Sequence, residues 1–451
     1  MTPSPIVLGR IRSFCLLGLT GLGPVLGGNW PQYRGSQASG VDASAEAPLK
    51  WDVSSGTNVL WKAPVAGLGH AAPIVWGERV YTLTATKKGA AELKVGLYGD
   101  IDPVEDTEVH QWHLISLDRR TGKTVWDTMA HSAVPKVKRH TKSTHANSTP
   151  ATDGHRIVAI LGSEGLFCFD MSGALVWKKD LGPMDSGYYE SKSAQWGFAS
   201  SPILDSGRVY VQCDVQKGSF VAAYDAETGK ELWKTPRNDV PTWGTPTLVD
   251  DSGRRQLVLN GWHHVGGYDP ENGSELWKLE GGGDIPVPTP IFGHGLIFLT
   301  SAHGKLRPMR AVRTSASGTI TGKEPGTTNA AIAWVHPRQG DYMQTPILVN
   351  GLLFGCLDLG LLTCFDASTG AIRYSERLSP SGRGWTASPV SDGRKLYFTS
   401  EEGEVAVVRA SERFEPLAMN PLGETCLSTP ALVDGTLYFR TRSQVIAVGA
   451  R

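Results

Sequence analysis

Residues able to bind or react recur in this chain just ahead of a repeated proline. Reading back from those prolines collects His70, His145, Asn147, Gln195, Trp196 and Trp243 in the first half of the chain. The second half adds Tyr342, Gln344, Arg383, Trp385 and Cys426. Hydrogen-bonding groups interleaved with aromatic faces suit a concave ligand site, where rings supply contact area and a few polar atoms supply orientation. The plainer reading is a channel wall wetted by water. No Ser-His-Asp or Cys-His grouping has an informative spacing, because a nucleophile and its base meet in space and not along the chain.

Other charged or reactive stretches read more simply. The segment from Lys87 to Gln111 carries Asp100, Asp102, Glu105, Asp106 and Glu108. It lacks the alternating carboxylates, glycine turn and closing acid of a calcium loop, so a solvated loop without metal is expected. His263 and His264 fall between the second and third strands of their unit and are expected to be exposed on the opposite face from the pre-proline residues. Leaving Cys15 aside, five cysteines remain (Cys168, Cys213, Cys356, Cys364 and Cys426), none with zinc-site spacing. Cys356 and Cys364 flank a turn and read as two small buried strand residues, with a cross-strand disulfide as the alternative.

What positions the pre-proline residues is a repeat. Its openings are Pro73, Pro150, Pro202, Pro246, Pro290, Pro346, Pro389 and Pro430, spaced 41 to 77 residues apart. Each opening leads through an apolar strand, a turn and two further strands to an Asp-x-x-Thr-Gly type turn, as at Asp118–Gly122, Asp225–Gly229 and Asp366–Gly370. Aspartate can bond its own backbone and glycine accepts a positive φ, so this motif reads as a tight hairpin. A last strand then carries an aromatic residue: Trp126, Trp177, Trp233, Trp277, Trp334 or Tyr374, with Leu417 as a degenerate seventh. These rings are read as packing between units.

Eight openings and seven aromatic strands leave one strand missing at the C-terminal end. Asn58–Lys62, with Trp61 placed 12 residues before Pro73, fits that vacancy. The expected fold is therefore all-β: an eight-bladed β-propeller of four-stranded antiparallel blades, its last blade completed by an N-terminal strand. In such a ring the connections between blades converge on one mouth of the central channel. The insertion Thr314–Asn329 in the fifth unit is expected to form an extended hairpin tip.

Bulk properties narrow the function. The 451 residues hold 44 Lys plus Arg and 44 Asp plus Glu, so no basic field draws nucleic acid or anionic lipid to the surface. Arg10 and Arg12 precede an apolar run from Phe14 to Gly27 that is short and glycine-rich, which suits a secretory signal peptide over residues 1–28 followed by a single domain over residues 29–451. Export to the periplasm or exterior is expected, with removal near Gly27 or Gly28 and no membrane span afterwards; a retained N-terminal anchor is the alternative.

The units Val221–Trp233 and Leu362–Gly370, with the opening Asn29–Gly35, resemble the pyrroloquinoline-quinone-type propeller repeat of exported bacterial proteins. That family includes quinone-dependent alcohol and sugar dehydrogenases, the propeller lipoprotein of the outer-membrane assembly machinery, and exported propellers without established activity. The dehydrogenases imply a quinone under a vicinal Cys-Cys pair, a tryptophan floor, and calcium held by Glu and Asn beside a catalytic Asp. No two cysteines are adjacent here, and Cys15 is not preceded by the small residues of a lipidation site. The resemblance with the cofactor holders missing implies a non-enzymatic, monomeric scaffold binding another envelope or secreted protein, or a small ligand, at the mouth. A divergent quinone- and calcium-dependent dehydrogenase is the alternative, and a polysaccharide binder using Trp196, Trp243 and Trp385 a third reading.

Overall fold

The computed structural model describes residues 1–2, 28–89, 91–95, 102–191, 193–322, 326–380 and 384–450; residues 3–27 of the predicted signal peptide and Arg383 lie outside the described residues. The chain forms eight blades around a channel, each built on four antiparallel strands, which in blades 1 to 7 follow in chain order from the channel outward. Blade 1 runs from Ile74–Trp76 to Thr124–Ala133, and blade 7 from Val390–Ser391 to Pro416–Pro421. Blade 8 takes Ala431–Val433, Thr436–Arg440 and Gln444–Val448 from the C-terminal end, and Val59–Pro64 completes it from outside. Trp61 stands opposite Ala447 and Ala63 opposite Val445. Alternation drives this closure: Val59, Trp61 and Ala63 are buried while Leu60, Lys62 and Pro64 are exposed. At roughly 1.5–3 kcal/mol per large apolar side chain, the inward face is enough to hold the two ends together.

The aromatic strands pack each blade onto the next by one recurring contact. The indole nitrogens of Trp61, Trp177, Trp233 and Trp334 donate to the carbonyls of Arg119, Ala226, Pro270 and Ala367 of the following blade, at 2.9–3.0 Å. The turn glycine of that blade lies flat on the ring: a Cβ at Gly122 would sit 2.5 Å from Trp61, and one at Gly370 2.7 Å from Trp334. Trp277 departs from this pattern, donating instead to Gln256 Oε1 within its own blade at 2.7 Å. The insertion in blade 5 lies beside this strand. Where a hairpin tip is expected, the described Gly318–Thr319 pairs in parallel with Trp277 and Lys278, adding a fifth strand to blade 4; residues 323–325 lie outside the described residues.

The repeated proline has a positional reason. It lacks an N–H and opens the strand at the channel edge, where a ladder donor would have no partner. The residue before it carries a hydroxyl that accepts the backbone N–H of the equivalent residue one blade earlier. Ala72, Thr149, Ser201, Thr245, Thr289, Thr345 and Ser388 thus donate to Thr149, Ser201, Thr245, Thr289, Thr345, Ser388 and Thr429, at 2.9–3.1 Å. Ala72 interrupts the circle at the junction of blades 8 and 1, where the chain ends also meet.

The segment from Gly28 to Ala47 seals the other end of the channel. It touches the turns between first and second strands: Asn29 Oδ1 accepts from Gly77, and the Asp434 carboxylate accepts from Gly28. Trp30 bridges to Val75 of blade 1, the Pro31 carbonyl accepts from Thr152 of blade 2, and Val41 pairs with Ser391 of blade 7. At its centre the Arg34 guanidinium, fully buried, donates to the carbonyls of Ala38, Ser39, Pro346 and Pro389. Burial lowers its pKa to about 10, so it remains charged at neutral pH.

All five cysteines of the described residues are free and buried. Cys364 pairs across the ladder with Phe354 and Cys356 with Leu362, so the two sit in adjacent strands without facing each other.

Candidate functional site

The pre-proline connections meet, as expected, at one end of the channel, and a cavity of about 190 Å³ opens there. Its floor includes Tyr33 of the sealing segment, whose hydroxyl bonds Ser388 Oγ at 3.1 Å. The sealed lower end makes the mouth a blind pocket.

Of the residues singled out from sequence, His70, Asn147, Trp196, Trp243 and Tyr342 line this cavity. Trp196 and Trp243 stand with ring centroids 5.7 Å apart and planes tilted by 33°. The Trp243 indole is fixed by donating to the Gly197 carbonyl at 2.9 Å. His70 Nε2 bonds the Lys142 carbonyl at 2.9 Å. Burial, helped by the charges of Arg440, Arg139 and Lys142, outweighs that bond and pushes His70 down to about 4, leaving it neutral. Asn147 ties its connection together, accepting from Thr144 and donating to Ser143 Oγ and the Phe198 carbonyl.

The other candidates lie elsewhere. Gln195 borders a surface hollow with Asp102 and Lys138 and accepts from the Lys138 backbone. Gln344 and Trp385 are each 1 % exposed, Trp385 packed over Gly360 in the blade 6 core. Cys426 is buried against the Ser428 and Arg440 carbonyls, and burial raises its thiol to about 12, an unreactive state. His145 belongs to the Asp106 cluster described below.

His263 and His264 are on the same face as the mouth, correcting the expectation that they sit opposite it. Second strands rise toward the mouth, so second-to-third connections belong there. Asp239, in the connection between blades 3 and 4, accepts the backbone N–H groups of Trp262, His263 and His264. His263 is exposed, while His264 is buried against Tyr268 and Glu275. This anchored turn presents Trp262, the last member of an aromatic ridge that leaves the cavity wall. Trp196 stacks on Tyr188 at 5.7 Å and 16°, Tyr188 meets Tyr189 at 5.0 Å, and Tyr189 meets Trp262 at 4.8 Å. Sequence reasoning found Trp196 but missed Tyr33, Lys142 and Trp262; proximity to a proline was too narrow a signal for residues supplied by other loops.

The acidic insertion of blade 1 is not a solvated loop where it matters. Asp106 is buried at the centre of a cluster with His110 and His145, three groups whose ligand atoms lie within 4.8 Å of one another. Its two oxygens are already taken by cations, Arg139 Nε at 2.7 Å and Lys87 Nζ at 3.1 Å. A metal ion would enter against two positive charges, so the cluster is a pin. It fastens the insertion to the connection between blades 1 and 2, where Pro103–Val104 also pairs with Arg139–His140. Burial alone would raise the Asp106 pKa; the His145 hydrogen bond and the Arg139 and Lys87 contacts more than reverse it and hold the carboxyl well below the usual range.

Ring and pocket together define an eight-bladed propeller of the quinoprotein-like class, closed by its own N-terminal strand and open at one mouth. A family model described as outer membrane protein assembly factor BamB matches residues 110–376, more than half of the chain. The chain belongs to that pyrroloquinoline-quinone-like propeller family. Among solved structures it is similar to BamB from Moraxella catarrhalis, with 14 % identity and a TM-score of 0.52 over 82 % of this chain and 98 % of that one. The computationally designed Ika8 protein gives 12 % identity and a TM-score of 0.51, covering 80 % of this chain and 100 % of that one. A quinohemoprotein alcohol dehydrogenase from Comamonas testosteroni gives 14 % identity and 0.45 over 94 % and 81 %. No curated protein sequence matches the chain. At these identities the likeness shows the fold.

The cofactor implied by the quinoprotein branch does not fit the mouth. The described lining contains no carboxylate to hold calcium and no cysteine pair. Its one lysine, Lys142, is buried and bound to Glu401 at 2.7 Å, with Thr386 on the same carboxylate. A tricarboxylate quinone would meet no uncommitted counter-charge among the described lining residues.

Proposed function

We propose that this protein is an exported, non-enzymatic, monomeric propeller that binds a ligand or partner at the channel mouth. The observation that carries the reading is the blind pocket itself: aromatic walls and hydroxyls around a floor made by Tyr33. His70 is neutral and bonded to a carbonyl, Lys142 is paired, and the Cys426 thiol is buried. The matching family model, described as an outer membrane protein assembly factor, supports a binding role. Export rests on the basic and apolar pattern of residues 1–28, and no helix among the described residues is long and apolar enough to cross a membrane. N-terminal sequencing of the mature protein should find a start near Gly28.

The direct test adds pyrroloquinoline quinone and calcium to the purified protein and follows quinone absorbance and dye-linked oxidation of alcohols and sugars. Neither stoichiometric cofactor nor turnover is expected. Stoichiometric binding with turnover would replace this reading with that of a divergent dehydrogenase. In parallel, affinity capture from envelope extracts should recover a ligand or partner with the native protein and lose it with Trp196→Ala.

A further inference from the structure

We infer that the mouth cavity holds one uncharged pyranose unit of a glycan whose chain runs outward over the Trp196–Tyr188 ridge. This rests on the reading of the mouth as a binding site and goes on to name what it binds.

Size sets the first limit. A cavity of about 150 Å³ accommodates a single benzene ring, so the roughly 190 Å³ at the mouth takes one six-membered ring within its walls. Charge sets the second. Among the described lining residues a carboxylate, phosphate or ammonium would lose hydration without meeting an uncommitted opposite charge, because that lining has no acid and its lysine is held by buried Glu401. The occupant this lining suits is a neutral one.

The third limit comes from how the polar and apolar surfaces are disposed. Thr149, Ser201, Thr245 and Thr289 line the depth of the pocket, and each of their oxygens already accepts a backbone N–H from the neighbouring blade. A hydroxyl that accepts one bond still has its proton to donate and a second lone pair. The result is an arc of hydroxyls, fixed by the ring, in the same cavity wall as Trp196 and Trp243. A flat aromatic ligand would use the indole faces and leave that arc unmatched. A pyranose uses both, placing C–H groups on the rings and its hydroxyls toward the arc. The ridge continues the aromatic surface outward from Trp196 through Tyr188 and Tyr189 to Trp262. A ligand longer than one unit would follow it.

The test titrates the full-length protein with neutral hexasaccharides of gluco, manno, galacto and xylo configuration, and with hexagalacturonic acid as the charged counterpart. Tryptophan fluorescence and calorimetry give binding; thermal melting checks the fold. At least one neutral hexasaccharide should bind and shift the fluorescence, and the acid should not. Trp196→Ala and Trp243→Ala should each weaken binding about tenfold or more, with Trp196→Phe retaining most of it and melting unchanged. Failure of every neutral probe, or preference for the acid, overturns the glycan. If Trp196→Ala still loses the species captured from envelope extracts, the mouth as a binding site survives that failure. If Trp196→Ala changes neither sugar binding nor capture, both fall.

Discussion

The two faces of the ring are built from similar residues and treat them differently. On the lower face, at the outer rim, the side chains are consumed by the ring: the indoles of Trp61, Trp177, Trp233 and Trp334 are covered by glycines and donate to the next blade. Arg34, at the centre of that face, bonds four carbonyls of the sealing segment and two blades. On the upper face Trp196, Trp243, Trp262 and Tyr188 are only partly buried and keep ring surface open. The short hairpin turns below repeat with the blade, while the connections above vary in length. Binding surface accumulates where the repeat is loosest.

Breaking the lower face should unfold the protein. Deleting residues 51–66 removes the strand that completes blade 8 and exposes the core shared by Trp61, Tyr438 and Val448. The loss of several kcal/mol should abolish a cooperative melt, followed by circular dichroism. Arg34→Ala leaves buried carbonyls without donors and should cost about 3 kcal/mol in denaturant unfolding.

The Asp106 pin sharpens the comparison, because it is a holding device on the upper face. Asp106→Asn should cost about 3 kcal/mol by leaving Arg139 buried beside a neutral amide. The pH dependence has a definite sign. The folded-state pKa of Asp106 is depressed, so its contribution is present above an unfolded value of about 3.9 and is lost as pH falls below it. Unfolding free energy measured from pH 7 down to pH 3 should therefore fall less in the variant than in the native protein. The smallest effect lies at the gap in the hydroxyl circle. Ala72→Ser supplies the missing acceptor between blades 8 and 1 and should stabilise by about 1 kcal/mol.

The fold was legible in sequence because the proline, the Asp-x-x-Thr-Gly turn and the tryptophan each repeat for a local physical reason, and Trp61 fitted the one vacancy. The site was half legible. Position before a proline identifies residues at the mouth, and His70, Asn147, Trp196 and Trp243 line it. It does not say which way a side chain turns, so Gln344, Trp385 and Cys426 point into blade cores. Tyr33 was hidden because the Asn29–Gly35 segment has no periodicity to reveal that it runs beneath the ring. Asp106 was read as solvated because its partners Arg139 and His145 belong to another connection, more than thirty residues away.

The most direct test sets one tryptophan from each face against the other. Trp61→Ala and Trp196→Ala are compared for unfolding free energy in denaturant and for retention of the species captured from envelope extracts. Trp61→Ala is expected to lose about 4 kcal/mol while its remaining folded fraction still binds, and Trp196→Ala to lose binding with stability within about 0.5 kcal/mol of native. Equal destabilisation by the two variants, or undiminished binding by Trp196→Ala, would contradict the division of the ring into a holding face and a binding face.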